Sequence, residues 1–194
     1  GILWLDYVGE VWMTTNGETN TVFFDVETQR LIDEVGGWHH ISRLGLAAAV
    51  TYSTADGLFR HYTEESVADL IAELQAADLV VGFNVFRFDY EVLRPYTDVD
   101  LQRLPTVDML AHIYQRLGFR ISLDALAAAT LGTSKSADGI QAVRWYRQGQ
   151  IDKVLAYCQQ DVAITRDLYE FGRTHKYVQY HDKYWRLRRV AVNW

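Results

Sequence analysis

A mixed α/β fold, with helices packed on a sheet, is what the sequence predicts, and three observations predict it. The first third carries runs rich in Val, Phe and Tyr, separated by turn residues. The middle alternates short apolar runs with segments of helical spacing. In the last third Ile151, Val154, Leu155, Cys158, Val162, Thr165, Leu168 and Tyr169 recur at helical spacing.

Residues 19–30, TNTVFFDVETQR, open the fold as a strand: Val22, Phe23, Phe24 and Val26 are β-formers, and Thr15, Asn16 and Gly17 upstream are turn-prone. Residues 41–53 predict a second strand and 57–63 a third, joined by the turn Thr54-Ala55-Asp56-Gly57. Ser66 stands where it would cap a helix through Val67, Leu70, Ile71 and Leu74. Residues 78–83 (DLVVGF) read as a short buried strand, followed by a helix over 88–93 that Pro95 stops. Residues 106–117 fit a strand or a helix equally. Ser122 caps the helix LDALAAATLG, which Gly132 ends. Residues 177–194 predict a final β-hairpin. The expected organisation is an N-terminal extension over 1–18, a main domain over 19–174, and a basic, aromatic segment over 175–194 that joins it as the hairpin.

Composition is that of an ordinary globular chain, 49% hydrophobic and 23% charged, and no apolar run is long enough to span a bilayer. The amino end is apolar but holds Asp6 and Glu10 and no basic leader, so no signal peptide is expected. A lone cysteine, Cys158, excludes a disulfide within these residues and fits a cytoplasmic setting. The net charge of −6 argues against a general nucleic-acid coat. From His175 to Trp194, however, five Lys or Arg stand against one Asp.

Carboxylates break the apolar pattern at three places. Asp25 and Glu27 lie two apart inside the first strand, so both side chains face the same way. Burying two like charges side by side is unfavourable unless something neutralises them. Asp89 ends VVGFNVFRFD (80–89), just beyond a buried strand. Asp161, in YCQQD (157–161), interrupts a helical stripe, with Tyr157 one turn before it on the same face. Taken singly, Asp89 also reads as a turn former, and Tyr157 with Asp161 as a hydrogen-bonded core edge. Together the four acids ask for divalent cations. Hard oxygen ligands hold Mg²⁺ or Mn²⁺, and two such ions about 3.5–4 Å apart would clamp a phosphodiester.

FDVET, GFNVFRFD and YCQQD, in this order, resemble the three motifs of the DEDD (DnaQ-like) 3′–5′ exonucleases. The Y-x-x-x-D form of the third marks the tyrosine branch; a histidine branch would need His where Ala156 stands. EVGGW (34–38), WYRQG (145–149) and YCQQDVAITRDLYEFG (157–172) are similar to the YprB-like bacterial branch, whose domains occur alone or joined to helicases. The resemblance covers roughly residues 20–172. It implies a ribonuclease H-like three-layer fold around a mixed five-stranded sheet. It also implies a two-metal site in which Asp25 bridges both ions, Glu27 and Asp161 complete the site of the water-activating ion, and Asp89 supports the second. Tyr157 would hydrogen-bond the attacking water; a phenol with an ordinary pKa of about 10 orients before it deprotonates.

The resemblance further places Thr28, Gln29 and Leu31, after the first motif, beside the terminal nucleotide, and Asn84 near the substrate. Asn84 also reads as a turn former beside Gly82. Lys135 reads as a phosphate contact or a solvated loop lysine, and Phe86 and Phe88 as base-stacking or core residues. Asp108 is the rival acid to Asp89 but fits no motif. Cys158 packs in the core, and His39-His40 forms a surface turn. Arg186, Arg188 and Arg189, interleaved with Tyr184 and Trp185, read as a single-strand track or a solvated strand face. The expected activity is metal-dependent 3′–5′ exonuclease cleavage of single-stranded DNA, releasing nucleoside 5′-monophosphates. An exoribonuclease, a small-molecule phosphodiesterase and a non-catalytic nucleic-acid-binding or scaffold module joined to a helicase are the alternatives.

Overall fold

The computed structural model describes residues 19–133 and 137–194. The extension expected over 1–18 and the candidate phosphate contact Lys135 lie outside the described residues.

Strands β1 (Thr21–Thr28), β2 (Leu46–Ser53), β3 (Leu58–Tyr62), β4 (Leu79–Gly82) and β5 (Thr106–Asp108) form one sheet in the order β3-β2-β1-β4-β5. The β1–β2 and β2–β3 pairs are antiparallel, whereas β4 lies parallel to β1 and to β5. The pleat of β1 builds two cores. Val22, Phe24 and Val26 pack with Leu70 and Leu74 of α1 (Val67–Ala76) and Val92 of α2 (Asp89–Leu93). Phe23 faces the other layer, which gathers Met109 and Ile113 of α3 (Met109–Leu117), Leu126 of α4 (Leu123–Leu131), and Cys158, Val162 and Leu168 of α6 (Ile151–His175). Each such fully buried side chain contributes about 1.5–3 kcal/mol. Helix α5 (Gly139–Arg147) packs on α6.

Residues 177–191 form a two-stranded hairpin, β6 (Tyr177–His181) against β7 (Leu187–Ala191). Val178 stands opposite Val190, and both are buried in the α6-side core, so one face of the hairpin is anchored.

Several local expectations are corrected. Strand β2 begins at Leu46, not at residue 41, because the chain winds through a 3₁₀ turn over Trp38–Arg43. It then reverses at Gly45 (φ 70°), where a Cβ would lie 2.6 Å from Gln29 Oε1. Ser66 does not cap α1 through its side chain; its hydroxyl instead accepts from Thr63 N–H at 2.9 Å, closing a 3₁₀ turn that precedes the helix. Residues 106–117 are strand and helix in succession, divided at Asp108, whose carboxylate caps α3 by accepting from Ala111 N–H at 3.1 Å. Helix α5 was not foreseen. Its cap is Asp138, which accepts from Gln141 N–H at 2.8 Å.

Candidate active site

Strand β1 outruns its neighbour. It pairs with β4 from Thr21 to Phe23, and among the described residues no strand continues along that edge beside Asp25 to Thr28. A backbone donor on that edge needs another acceptor. Asp89 supplies one: its Oδ1 accepts from Val26 N–H at 3.1 Å, in a buried position between Asp25 and Glu27. The loop from β4 can approach β1 this closely because residue 82 is glycine. A Cβ there would sit 2.2 Å from Val85 Cγ1 and 3.3 Å from the Phe24 carbonyl.

The next turn is held by Asp108. Its carboxylate accepts from Asn84 N–H at 2.9 Å and from Phe86 N–H at 3.2 Å, as well as from the α3 amide already described. The rival acid therefore organises backbone, and it fixes Asn84 in the left-handed region at φ 68°. Phe86 and Phe88 pack against the α1-side core, with Phe86 edge-on to Tyr90.

Helix α6 closes the site from the opposite layer. Tyr157, Cys158 and Asp161 are all buried on its inner face. Cys158 is core, as expected, but it is also the floor of the carboxylate cluster: its thiol donates toward the Asp25 carbonyl at 3.2 Å, with Asp25 Oδ2 at 3.7 Å. Potential ligand atoms of Asp25, Glu27 and Cys158 all lie within 4.8 Å of one another. Asp161 borders the same cavity as Asp25 and Glu27, and Asp89 reaches in beside Val26.

Electrostatics report the same convergence. Burial pushes the Cys158 thiol well above its ordinary range, and Asp25, Glu27, Asp161 and Asp89 each push it further. The Asp89 carboxyl is raised first by burial and then by Asp108 and Asp161, against the pull of the Val26 amide. A buried region that resists negative charge on two of its own groups suits a cation. The donor set, carboxylate oxygens, is that of Mg²⁺ or Mn²⁺.

A cavity of about 440 Å³ opens from the cluster. Thr28 and Leu31 line it together with Ile32, Phe88, Ile140 and Val143, so one end is carboxylate and one wall apolar, with Arg30 and Asp33 also on the lining. Gln29 does not line it; its amide donates to the Leu46 carbonyl at 2.8 Å and to Glu64 at 2.9 Å. Asn84 lies outside the lining as well, its Oδ1 accepting from Arg120 Nη2 at 2.7 Å. The Tyr157 ring packs edge-on to Trp145 at 6.4 Å. Arg147 of α5 binds both carboxylate oxygens of Glu34, tying α5 to the 3₁₀ turn Ile32–Val35. Ile140 and Val143 were missed. Their one signal was the Asp138 cap followed by apolar residues three apart.

Carboxylates from a strand, a loop-borne helix and a long C-terminal helix, meeting over a mixed sheet, define the class: an α/β protein with an acidic centre fitted to divalent cations. The sequence profile of the RNase_H superfamily matches residues 22–171, and the chain belongs to that superfamily. Its five-stranded sheet flanked by helices is the ribonuclease H-like fold. Superfamily and acidic cluster together support a nuclease hydrolase. The family B DNA polymerase from the hyperthermophilic archaeon Pyrobaculum calidifontis is similar in structure, with a TM-score of 0.61 and 18% identity over 79% of this chain and 24% of that one. That likeness concerns the fold, and this chain spans about a quarter of the polymerase's length. No curated protein matches the sequence. Among the described residues no helix is long and apolar enough to cross a membrane.

Proposed function

We propose that the protein is a metal-dependent 3′–5′ exonuclease of the tyrosine branch, acting on single-stranded DNA and releasing nucleoside 5′-monophosphates. The observation that carries this reading is the meeting of four carboxylates from three distant segments around Cys158, three of them on the lining of one cavity. Asp25, Glu27 and Asp161 would hold two Mg²⁺ or Mn²⁺ ions, with Asp89 supporting the second. Bound there, such ions supply activation of the attacking water and neutralise charge on the departing 3′-oxygen. Tyr157, one helical turn before Asp161, would orient that water. Leu31, Ile32, Phe88, Ile140 and Val143 would receive the sugar and base of the terminal nucleotide, with Thr28 beside them. An end-on cavity of this kind takes an unpaired end, which favours single strands and removal of one nucleotide at a time.

The test offers single-stranded DNA and RNA, each labelled at the 3′ or the 5′ end, with Mg²⁺ or Mn²⁺. Stepwise shortening of 5′-labelled DNA, with immediate release of a 3′ label as mononucleotide, is the expected result. Faster loss from RNA would make the protein an exoribonuclease. No cleavage of either, under binding conditions, would leave a scaffold module.

A further inference from the structure

We propose that a set of aromatic and cationic side chains, running from Asn84 to the tip of the C-terminal hairpin, is the surface on which single-stranded nucleic acid lies upstream of its cleaved end. This rests on the nucleic-acid reading of the site. The set begins at the loop that delivers Asp89: Asn84 Oδ1 accepts from Arg120 Nη2 at 2.7 Å. Beside Arg120 stands Phe119, a large apolar side chain left 47% exposed. Its ring meets Tyr180 of β6 edge-on at 5.9 Å. Tyr180 lies opposite Arg188 across the hairpin, and beyond them the tip presents Tyr184 at 65% and Trp185 at 82% exposure.

Packing among the described residues does not cover the tip. Among the described residues the Trp185 ring has a single ring neighbour, His181 at 5.6 Å, and its backbone adopts φ 59°, a conformation that L side chains rarely take. Strain combined with exposure of the largest aromatic residue marks a position kept for contact with something else. Lys183 and Arg186 lie over the Tyr184 ring at 5.0 and 4.9 Å, so cation and π-face are offered together. The occupant that matches this chemistry is a flexible polyanion with stackable faces. Bases stack on aromatic side chains while phosphates meet the guanidinium groups. Charge complementarity points the same way: in a chain of net charge −6, residues 175–194 hold five Lys or Arg against one Asp. The Arg120–Asn84 bond, which ties one end of this surface to the loop that delivers Asp89, separates it from an unrelated protein-docking patch.

Fluorescence anisotropy with labelled single strands of graded length, from a trinucleotide upward and in EDTA so that nothing is cut, tests the proposal. Affinity of the native protein should rise with length and then level off. In Phe119→Ala/Trp185→Ala the long strands should bind roughly tenfold or more weakly, since each lost stack is of that order, and the gain with length should disappear. Arg120→Ala should lower the slope of log K against log[salt] by about 0.7. Both changes are at exposed positions, and melting temperatures matching the native protein exclude misfolding. A native affinity indifferent to length, or a double variant that follows the native curve at every length, overturns the proposal. Length-dependent binding lost in the variant, with no cleavage by the native protein in Mg²⁺ or Mn²⁺, would uphold the surface and refute the nuclease reading.

Discussion

Asp89 and Asp182 are the same side chain in opposite circumstances. Asp89 is buried with one amide donor on Oδ1 and with Asp108 and Asp161 nearby, and its carboxyl is raised. At the hairpin tip, burial pushes the Asp182 carboxyl up more than any one contact pulls it down, but the contacts together prevail. Its oxygens accept from Arg186 N–H and Tyr184 N–H and from the Arg188 and Arg186 side chains, and the carboxyl is held well below its ordinary range. The hairpin sets arginines directly on its acid, whereas the charged groups named around Asp89 and Cys158 are acids and Arg30 stands only on the cavity wall. A fold that gathers four acids around a buried thiol therefore implies a counter-charge brought from solvent, whereas at the tip two arginines share one acid and leave a net positive charge.

The largest effect that could break this contrast is at Asp25. Asp25→Asn should lower nuclease activity by on the order of 10³-fold or more while the fold persists, because it removes the carboxylate at the centre of the cluster. Undiminished cleavage by a folded variant would sink the metal reading. Tyr157→Phe separates holding from orienting. It should cost about 10²-fold in kcat and leave metal affinity as it was, measured by titrating Mn²⁺ against activity or against melting temperature.

Metal itself tests the site without turnover. Ions that bind the folded state alone stabilise it by about 2.7 kcal/mol at a hundredfold excess over Kd, or roughly 5–10 °C in a chain of this length. Saturating Mg²⁺ or Mn²⁺ should raise the melting temperature by that order relative to EDTA, and the Asp25→Asn variant should lose most of the rise. A melting temperature indifferent to metal in the native protein would mean that the acids are neutralised in some other way.

What could be read beforehand follows the range of the interactions. Asp25 with Glu27, and Tyr157 with Asp161, are set by local periods of two and four, so sequence alone places each pair on one face. Asp89 was legible only as part of a motif, because its partner, the Val26 amide, is exposed by the early end of β4 and not by anything near residue 89. Gln29 shows the limit of adjacency. The register of β1 against β2 shifts between Glu27 and Thr28, and the Gln29 amide is turned to the start of β2, while Thr28 and Leu31 remain at the cavity. The α5 wall and the Asn84–Arg120 contact are tertiary, and no periodicity encodes them.

The smallest expected effect lies at Asp182, and it sharpens the comparison by its sign. A carboxyl whose folded pKa is lowered adds stability that is present above the unfolded value, near 3.8, and is lost as pH falls through the folded value. Asp182→Asn should thus lower the melting temperature slightly at neutral pH, where the native carboxylate is charged in both states. The gap between native and variant should narrow as pH drops below 3.8, since protonation makes the native side chain as neutral as the amide. Because Arg186 and Arg188 are released by the same substitution, Asp182→Asn should also bind long single strands more tightly at low salt while losing stability. A variant that loses stability yet gains no affinity would show that these two arginines serve only the hairpin, and would shorten the proposed nucleic-acid surface to its aromatic part and Arg120.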